Sequence, residues 1–297
     1  MLSHLGELAA LATAICFTIT ATAFELAGKK VGSLPVNFIR LFIAFGLHGL
    51  CSHLTGGFVL PIDADSHTWI WLLISGLIGF VLGDLFLVKA YVEIGSRISL
   101  LIMSAAPPLT ALIGFLAIGE RISLLGLAGM LITMAGIGMV ILSRNPAENK
   151  VQFNRPTQGI IFACIGALGQ ALGLICSKIG IGTYSPFAAT QIRLIAALVG
   201  FAAIITIQGK WTEIRTALAN KRAMLEISLG AVFGPFIGVA CSLIAVKHTA
   251  TGIVSSISSI SPVIIIPASI MIFKEKVLFK EILGAFVSVI GVVILFL

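Results

Sequence analysis

Among the ionisable residues inside long apolar stretches of this sequence, Asp84 lies well within its run, and Arg40 and Arg193 are the deepest arginine or lysine side chains. A charge at the centre of a bilayer costs at least about 2.5 kcal/mol unless it is paired or hydrated, so each asks for a reason. A carboxylate at Asp84 is suited to accept a proton or a cation; the competing reading makes it an ion-pair partner for Lys89 near a helix end. Arg40 and Arg193 suit the binding of anionic groups; otherwise they snorkel, or Arg40 pairs with Glu25 at a similar depth. Lys178 stands where the second half would carry Glu25, which leaves Arg193 without an obvious carboxylate.

Neutral polar residues add to this set. Gln170 carries an amide that needs a partner when buried. Ser255, Ser258 and Ser259 share one helix face by i, i+3 and i+4 spacing, and Ser104 recurs as Ser259. A hydroxyl stripe donates either to a bound solute or across a helix interface. Pro107, Pro108 and Pro262 are expected near the middle of helices, and Gly234-Pro235 in another. Proline there frees a backbone carbonyl, which a membrane tolerates only where protein or a wet cavity satisfies it again. The expectation is kinked helices that line a cavity and flex, with a static packing kink as the alternative.

The elements that must position these residues follow from composition. Of 297 residues, 58% are apolar and 10% charged, where a soluble domain carries about 25% charged residues. That excludes an ordinary soluble globule, and the same hydrophobicity excludes a disordered chain. Apolar runs fall near 7–28, 34–54, 68–91, 95–117, 122–142, 158–178, 185–207, 224–247, 250–273 and 278–296. At about 20 residues per span, ten transmembrane helices are expected, and an all-α membrane protein. The first run is read as a helix and not a signal peptide, because residues 1–7 lack a positive segment. The net charge of +7 has no Lys/Arg cluster beside aromatics, so no nucleic-acid partner is expected. The five cysteines lie in apolar runs without Cys-x-x-Cys spacing and read as buried small hydrophobes.

The chain also repeats itself. At an offset of 155, Gly79/Gly234, Gly83/Gly238, Pro107/Pro262, Glu120/Glu275, Gly129/Gly284 and Gly136/Gly291 coincide without a gap. At an offset of 153, Ile39-Arg40-Leu41 meets Ile192-Arg193-Leu194. Glycine, proline and arginine matches of this kind do not arise from a bias toward leucine and alanine. The expected organisation is a five-helix repeat over 1–143, a linker at 144–157 and a second repeat over 158–297. Five being odd, the second repeat enters the bilayer from the opposite side, giving inverted repeats with a site between them. Fourteen Lys and Arg fall on the side of the 1–2, 3–4, 5–6, 7–8 and 9–10 connections, against Arg121, Lys178 and Lys247 on the other. Both termini are therefore predicted to face away from the cytoplasm.

Gly119-Glu120-Arg121 after a proline-containing helix, its echo Lys274-Glu275-Lys276, and the paired Ile-Arg-Leu resemble the EamA-like family of the drug/metabolite transporter superfamily. The resemblance covers essentially the whole chain. It implies a ten-helix basket whose central cavity is lined mainly by helices 1, 3, 4, 6, 8 and 9, and transport as the general activity. With it, the expected function is a secondary transporter of the cell (inner) membrane that moves a small polar metabolite or drug, exporting it by alternating access with proton coupling.

A membrane-embedded enzyme of lipid or sugar-lipid metabolism and a passive channel are the competing classes. Against an enzyme, the chain has no His-Glu-x-x-His, clustered aspartates, nucleophile elbow or phosphate-cradling Gly-Lys-Ser/Thr, so no catalytic residue, metal or cofactor is expected. The expected partners are the bilayer and a small-molecule substrate. Glu120 and Glu275 read as caps of the helices that follow them. Gly79-x-x-x-Gly83 and Gly234-x-x-x-Gly238 permit close helix approach, and the same motif suits a homodimer.

Overall fold

The computed structural model describes residues 4–56, 60–103, 105–142, 156–258, 260–261, 263–264 and 278–295. Helix α1 is Leu5–Val31 and α2 is Ser33–Gly56. Helix α3, Ser66–Ser75, passes through a π-helical segment, Gly76–Gly83, into α4, Asp84–Met103. Helices α5, Ala106–Ile118, and α6, Leu124–Leu142, complete the first half. The second half holds α7, Pro156–Ile181, α8, Pro186–Gln208, α9, Trp211–Ala219, and α10, Lys221–Ala231. A second π segment, Val232–Gly238, leads into α11, Val239–His248, followed by α12, Thr251–Ser258, and α13, Phe279–Leu295.

Six helical stretches among the described residues are long and apolar enough to cross a membrane: Leu5–Val31, Ser33–Leu54, Ser66–Ser96, Thr157–Ile181, Pro186–Gln208 and Lys221–His248. Ala106–Ile118, Leu124–Gly136 and Ile282–Ile294 are shorter apolar helices. The expected linker, 144–157, lies outside the described residues up to 155.

Local signals explain the ends of these elements. Asp65 caps α3 by accepting from the Thr68 backbone N–H at 3.0 Å. Hydrogen bonds from the Thr68 side chain and backbone hold the Asp65 carboxyl below its ordinary value. Within α4 the helix breaks at Gly95, whose φ of 80° and ψ of 157° suit glycine alone. The broken turn is closed by Glu25, whose Oε2 accepts from Ser96 N at 2.8 Å. Pro107 and Pro108 differ from the expectation of a mid-helix kink. They occupy the first turn of α5, where the missing N–H is harmless and the fixed φ favours a helix start. Between α8 and α10, which the hydropathy reading joins by a plain connection, lies α9, pinned by an edge-on contact of Trp211 with Phe38 at 5.6 Å.

Packing follows the repeat. A methyl added to Gly136 would lie 2.4 Å from Ser288 N, and one added to Gly291 would lie 2.4 Å from Thr133 N. Thr133 and Ser288 are themselves 155 apart, so α6 and α13 pack reciprocally, each glycine against its counterpart's neighbour. Gly83 and Gly79 of the first π segment rest on Gly169 and Gly173 of α7, where a methyl on Gly169 would lie 2.6 Å from Gly83 Cα. Gly238 and Gly234 rest in the same way on Cys16 and Thr20 of α1. These glycine faces are thus occupied within the chain.

Candidate functional site

The two halves enclose a central cavity of about 150 Å³. Its walls come from α1, α2, α4, α5, α7, α8, α11, α12 and both π segments, and they include Phe24, Phe80, Tyr91, Thr110, Leu174 and Ser242. Asp84, Gln170, Arg40, Arg193, Ser255, Ser258, Gly234 and Pro235 all line it. Ser104, Ser259 and Pro262 lie outside the described residues. Pro107 and Pro108 belong to the α5 turn beside the lining residue Ala106.

Asp84 is the first residue after the first π segment, where i→i+5 bonding inserts an extra residue into the turn and alters which face the next side chain takes. It meets Arg40 of α2, whose Nη2 donates to Oδ2 at 2.6 Å. Gln170 of α7 donates through Nε2 to the other oxygen, Oδ1, at 2.5 Å. The Asn37 amide reaches the Asp84 carbonyl at 3.5 Å. The carboxylate is therefore shared between the halves, and its partner is not Lys89, which instead lies over the rings of Phe86 and Phe162. Nor does Arg40 pair with Glu25, which binds Lys29 one turn further along α1. A charge-assisted contact of this length is among the stronger polar interactions available to a protein, and both side chains are withdrawn from solvent.

Arg193 is placed differently. It is 5% exposed, and its Cζ lies 4.5 Å above the Phe80 ring. Arg40 likewise lies over a ring, that of Phe24 at 5.0 Å, and the Nε of both arginines is buried without a partner; the difference is that Arg40 has the Asp84 carboxylate, whereas no hydrogen bond to an acceptor is seen for Arg193 among the described residues. Stacking on an aromatic face contributes about 0.5–2 kcal/mol, against about 2.5–3.5 kcal/mol or more for a charge in the membrane interior. Phe80 therefore offsets only part of the cost. Gly79 provides the space: a methyl there would lie 3.2 Å from Arg193 Nη2.

Hydroxyl groups line another wall. Thr110 Oγ1 meets Ser255 Oγ at 3.4 Å. Ser258 and Ser261 donate to the α1 carbonyls of Ala10 and Ala14 at 3.4 and 3.0 Å. Ser258 thus ties the end of α12 to α1, Ser261 beyond the helix adds a second tie, and Ser255 reaches α5, while all three line the cavity. In the second π segment Pro235 has no N–H to give, and the single hydroxyl proton of Thr20 is shared between the Cys16 carbonyl of its own helix at 2.8 Å and the Gly230 carbonyl at 3.3 Å. The carbonyl of Pro235 accepts from His48 Nε2 at 3.0 Å, and His48 is fully buried against Phe236. His48, Thr20, Thr110, Tyr91, Phe24 and Phe80 were not signalled by sequence reasoning. Of these, only the pairing of a helix-breaking proline with a need for an external donor gave a signal that could have led to Thr20.

At one end of the cavity helices, Glu120 accepts from Thr251 N at 2.9 Å and from its hydroxyl, so it caps α12 of the second half and not the helix that follows it. Lys178 Nζ lies 3.3 Å from Glu120 and donates to the Thr249 carbonyl, which gives that cation a carboxylate of its own.

A bundle of apolar membrane-crossing helices around a small cavity that holds buried charges from both halves is the build of a multi-pass membrane transporter. The sequence pattern of the EamA-like transporter family matches residues 4–142 and again residues 157–297, and the chain belongs to that family. A protein of Archaeoglobus fulgidus described as an uncharacterized transporter is 23% identical over 293 residues, covering 98% of this chain and 97% of that protein. A solved structure titled only "Crystal structure of protein" superposes with a TM-score of 0.68 at 16% identity, over 96% of this chain and 94% of that one, which establishes the shared fold.

Proposed function

We propose that the chain is a secondary transporter of the inner cell membrane that exports a small polar metabolite or drug by alternating access, with proton coupling through Asp84. In this reading ten helices form two inverted repeats, 1–143 and 158–297, with 144–157 as the link. Both termini face away from the cytoplasm. The observation that carries the reading is the carboxylate of Asp84 held at once by Arg40 of the first half and Gln170 of the second, inside a cavity between the halves.

A movement of α7 along the first π segment, on which its glycines rest, stretches the Gln170 contact. A proton arriving on Asp84 removes the charge that holds Arg40, so protonation weakens the same two bonds that hold this state together. The driving force is the differential binding of proton and solute to the two states, which is what couples their movements. The π segments serve this movement, since their turns lack the regular α ladder and Pro235 leaves one bond to be made from outside.

The test is solute flux in proteoliposomes with an imposed proton gradient. The native protein is expected to move a solute uphill, and Asp84→Asn to lose gradient-driven accumulation while it equilibrates solute downhill. Full gradient-driven transport by Asp84→Asn would refute the coupling role. A channel would dissipate the gradient without accumulation, and an enzyme would yield product without flux.

A further inference from the structure

We infer that the central cavity takes a small organic monoanion, whose acidic head pairs with Arg193 and whose apolar body lies against Phe80, Phe24 and Leu174. This rests on the transporter reading and names the substrate class of that same site.

Arg40 and Arg193 occupy equivalent positions in the two repeats, yet their surroundings are unequal. Asp84 bonds directly to Arg40 and acts on Arg193 only through space, and the residue equivalent to Asp84 in the second half is Val239, which offers no carboxylate. Both oxygens of Asp84 are already engaged, one by Arg40 and the other by Gln170. Arg193 is left with the face of Phe80 and no hydrogen-bond acceptor among the described residues, although it is 5% exposed and lines the cavity.

Among the charged residues that line this space, two guanidiniums face one carboxylate, so the cavity holds one net positive charge. A monoanion brings it to neutrality, a zwitterion leaves the excess unchanged, and a cation doubles it. The guanidinium fork matches the geometry of a carboxylate or of a related oxyanion, which a point charge does not. The rest of the adjoining lining is apolar or aromatic, which suits a hydrocarbon body and leaves the hydroxyls of Thr110, Ser255 and Ser258 for a polar substituent. Two neighbouring features preserve the arrangement: Gly79 leaves room for Nη2, and the Phe80 ring lies 4.5 Å from the guanidinium carbon.

The experiment uses three probes of one size that differ in charge: benzenesulfonate, benzenesulfonamide and benzyltrimethylammonium. Thermal unfolding of the purified full chain reads binding, and uptake of labelled probe into proteoliposomes reads transport. Benzenesulfonate is expected to raise the melting temperature, and the other two are not. Arg193→Gln is expected to weaken sulfonate binding by at least about tenfold, since charged hydrogen bonds are lost. Arg193→Lys, which keeps the charge without the fork, is expected to retain part of it, and it serves as the test should the glutamine variant not fold. Equal stabilisation by sulfonamide, no shift with sulfonate, or unchanged binding by both variants would overturn the inference. Selective sulfonate binding without any protein-dependent uptake would instead overturn the transporter reading and leave the anion site standing. Uptake of the ammonium probe that Arg193→Gln does not alter would do the reverse.

Discussion

Consider removal of one charge at a time from the pair between Asp84 and Arg40. With side chains 9% and 6% exposed and 2.6 Å between Oδ2 and Nη2, the pair is buried, and loss of one partner leaves an uncompensated charge. Asp84→Asn leaves the cavity lined by Arg40 and Arg193 with no carboxylate, and is expected to cost about 3–5 kcal/mol. Arg40→Met leaves Asp84 with the Gln170 amide and with Arg193 as its remaining opposite charge, so it should cost less, about 1–3 kcal/mol. The double variant restores the native net charge of the cavity and should be more stable than Asp84→Asn alone. For a chain of 297 residues an unfolding entropy of about 2.1 cal/mol/K per residue converts each kcal/mol into about 1.6 °C. The expected falls in melting temperature are thus about 5–8 °C for Asp84→Asn and about 2–5 °C for Arg40→Met. Tryptophan fluorescence during thermal unfolding in detergent reads them, and the double-mutant cycle isolates the coupling between the two sites. Equal small losses for the two single variants, or simple addition in the double variant, would show that the pair does not hold the halves as described.

Two further substitutions test the scaffold. Gly169→Ala places a methyl 2.6 Å from Gly83 Cα, a backbone atom that no rotamer change can move aside. Overpacking should cost about 1–3 kcal/mol in thermal unfolding, and unchanged stability would contradict the close approach of α7 to the first π segment. Gly95→Ala forces an L side chain into φ 80°, ψ 157°, at a cost of about 1–3 kcal/mol, and should loosen the bond from Ser96 N to Glu25. Faster amide exchange at Ser96 is its expected signature; a native rate there would contradict the strained turn.

Much of this was legible in the sequence because a membrane makes polar residues conspicuous. Asp84, Arg40, Arg193 and Gln170 interrupt apolar runs, and the structure brings all four to one cavity. The glycine pairs at an offset of 155 reappear as the reciprocal contacts of Gly136 with Ser288 and Gly291 with Thr133. Partner choice was not legible. Depth along the chain put Lys89 near Asp84 and Glu25 near Arg40, but contact depends on the rotation of each helix, and a π segment changes that rotation by one inserted residue. Glu120 illustrates the same limit, since its capped helix is 131 residues away and is identified only by the fold. Aromatic lining residues such as Phe24 and Phe80 carry no signal of their own, because apolar runs contain aromatic residues on lipid-facing and cavity-facing sides alike.

The differences between the halves are as orderly as their likeness, and they divide by purpose. Gly83 on Gly169 corresponds, through the two offsets, to Gly238 on Cys16, and Gly79 on Gly173 corresponds to Gly234 on Thr20. Pro235 stands where the first half has Phe80, which retains its N–H. Where proline removes that donor, threonine replaces glycine on the facing helix and its hydroxyl, bonded to Cys16 within α1, also reaches the Gly230 carbonyl at 3.3 Å. Where phenylalanine remains, no such donor is needed, glycine suffices on α7, and the ring is free to lie under Arg193. The packing substitutions compensate one another and keep both interfaces close. The substitution of Val239 for Asp84 has no such compensation: Arg193 shares the field of Asp84, whose two oxygens are bonded to Arg40 and Gln170, and has no carboxylate of its own within bonding distance among the described residues. What sets Arg193 apart is its place: a cation on the wall of the cavity that no carboxylate bonds, where a solute that arrives and departs can supply the acceptor that the fold does not.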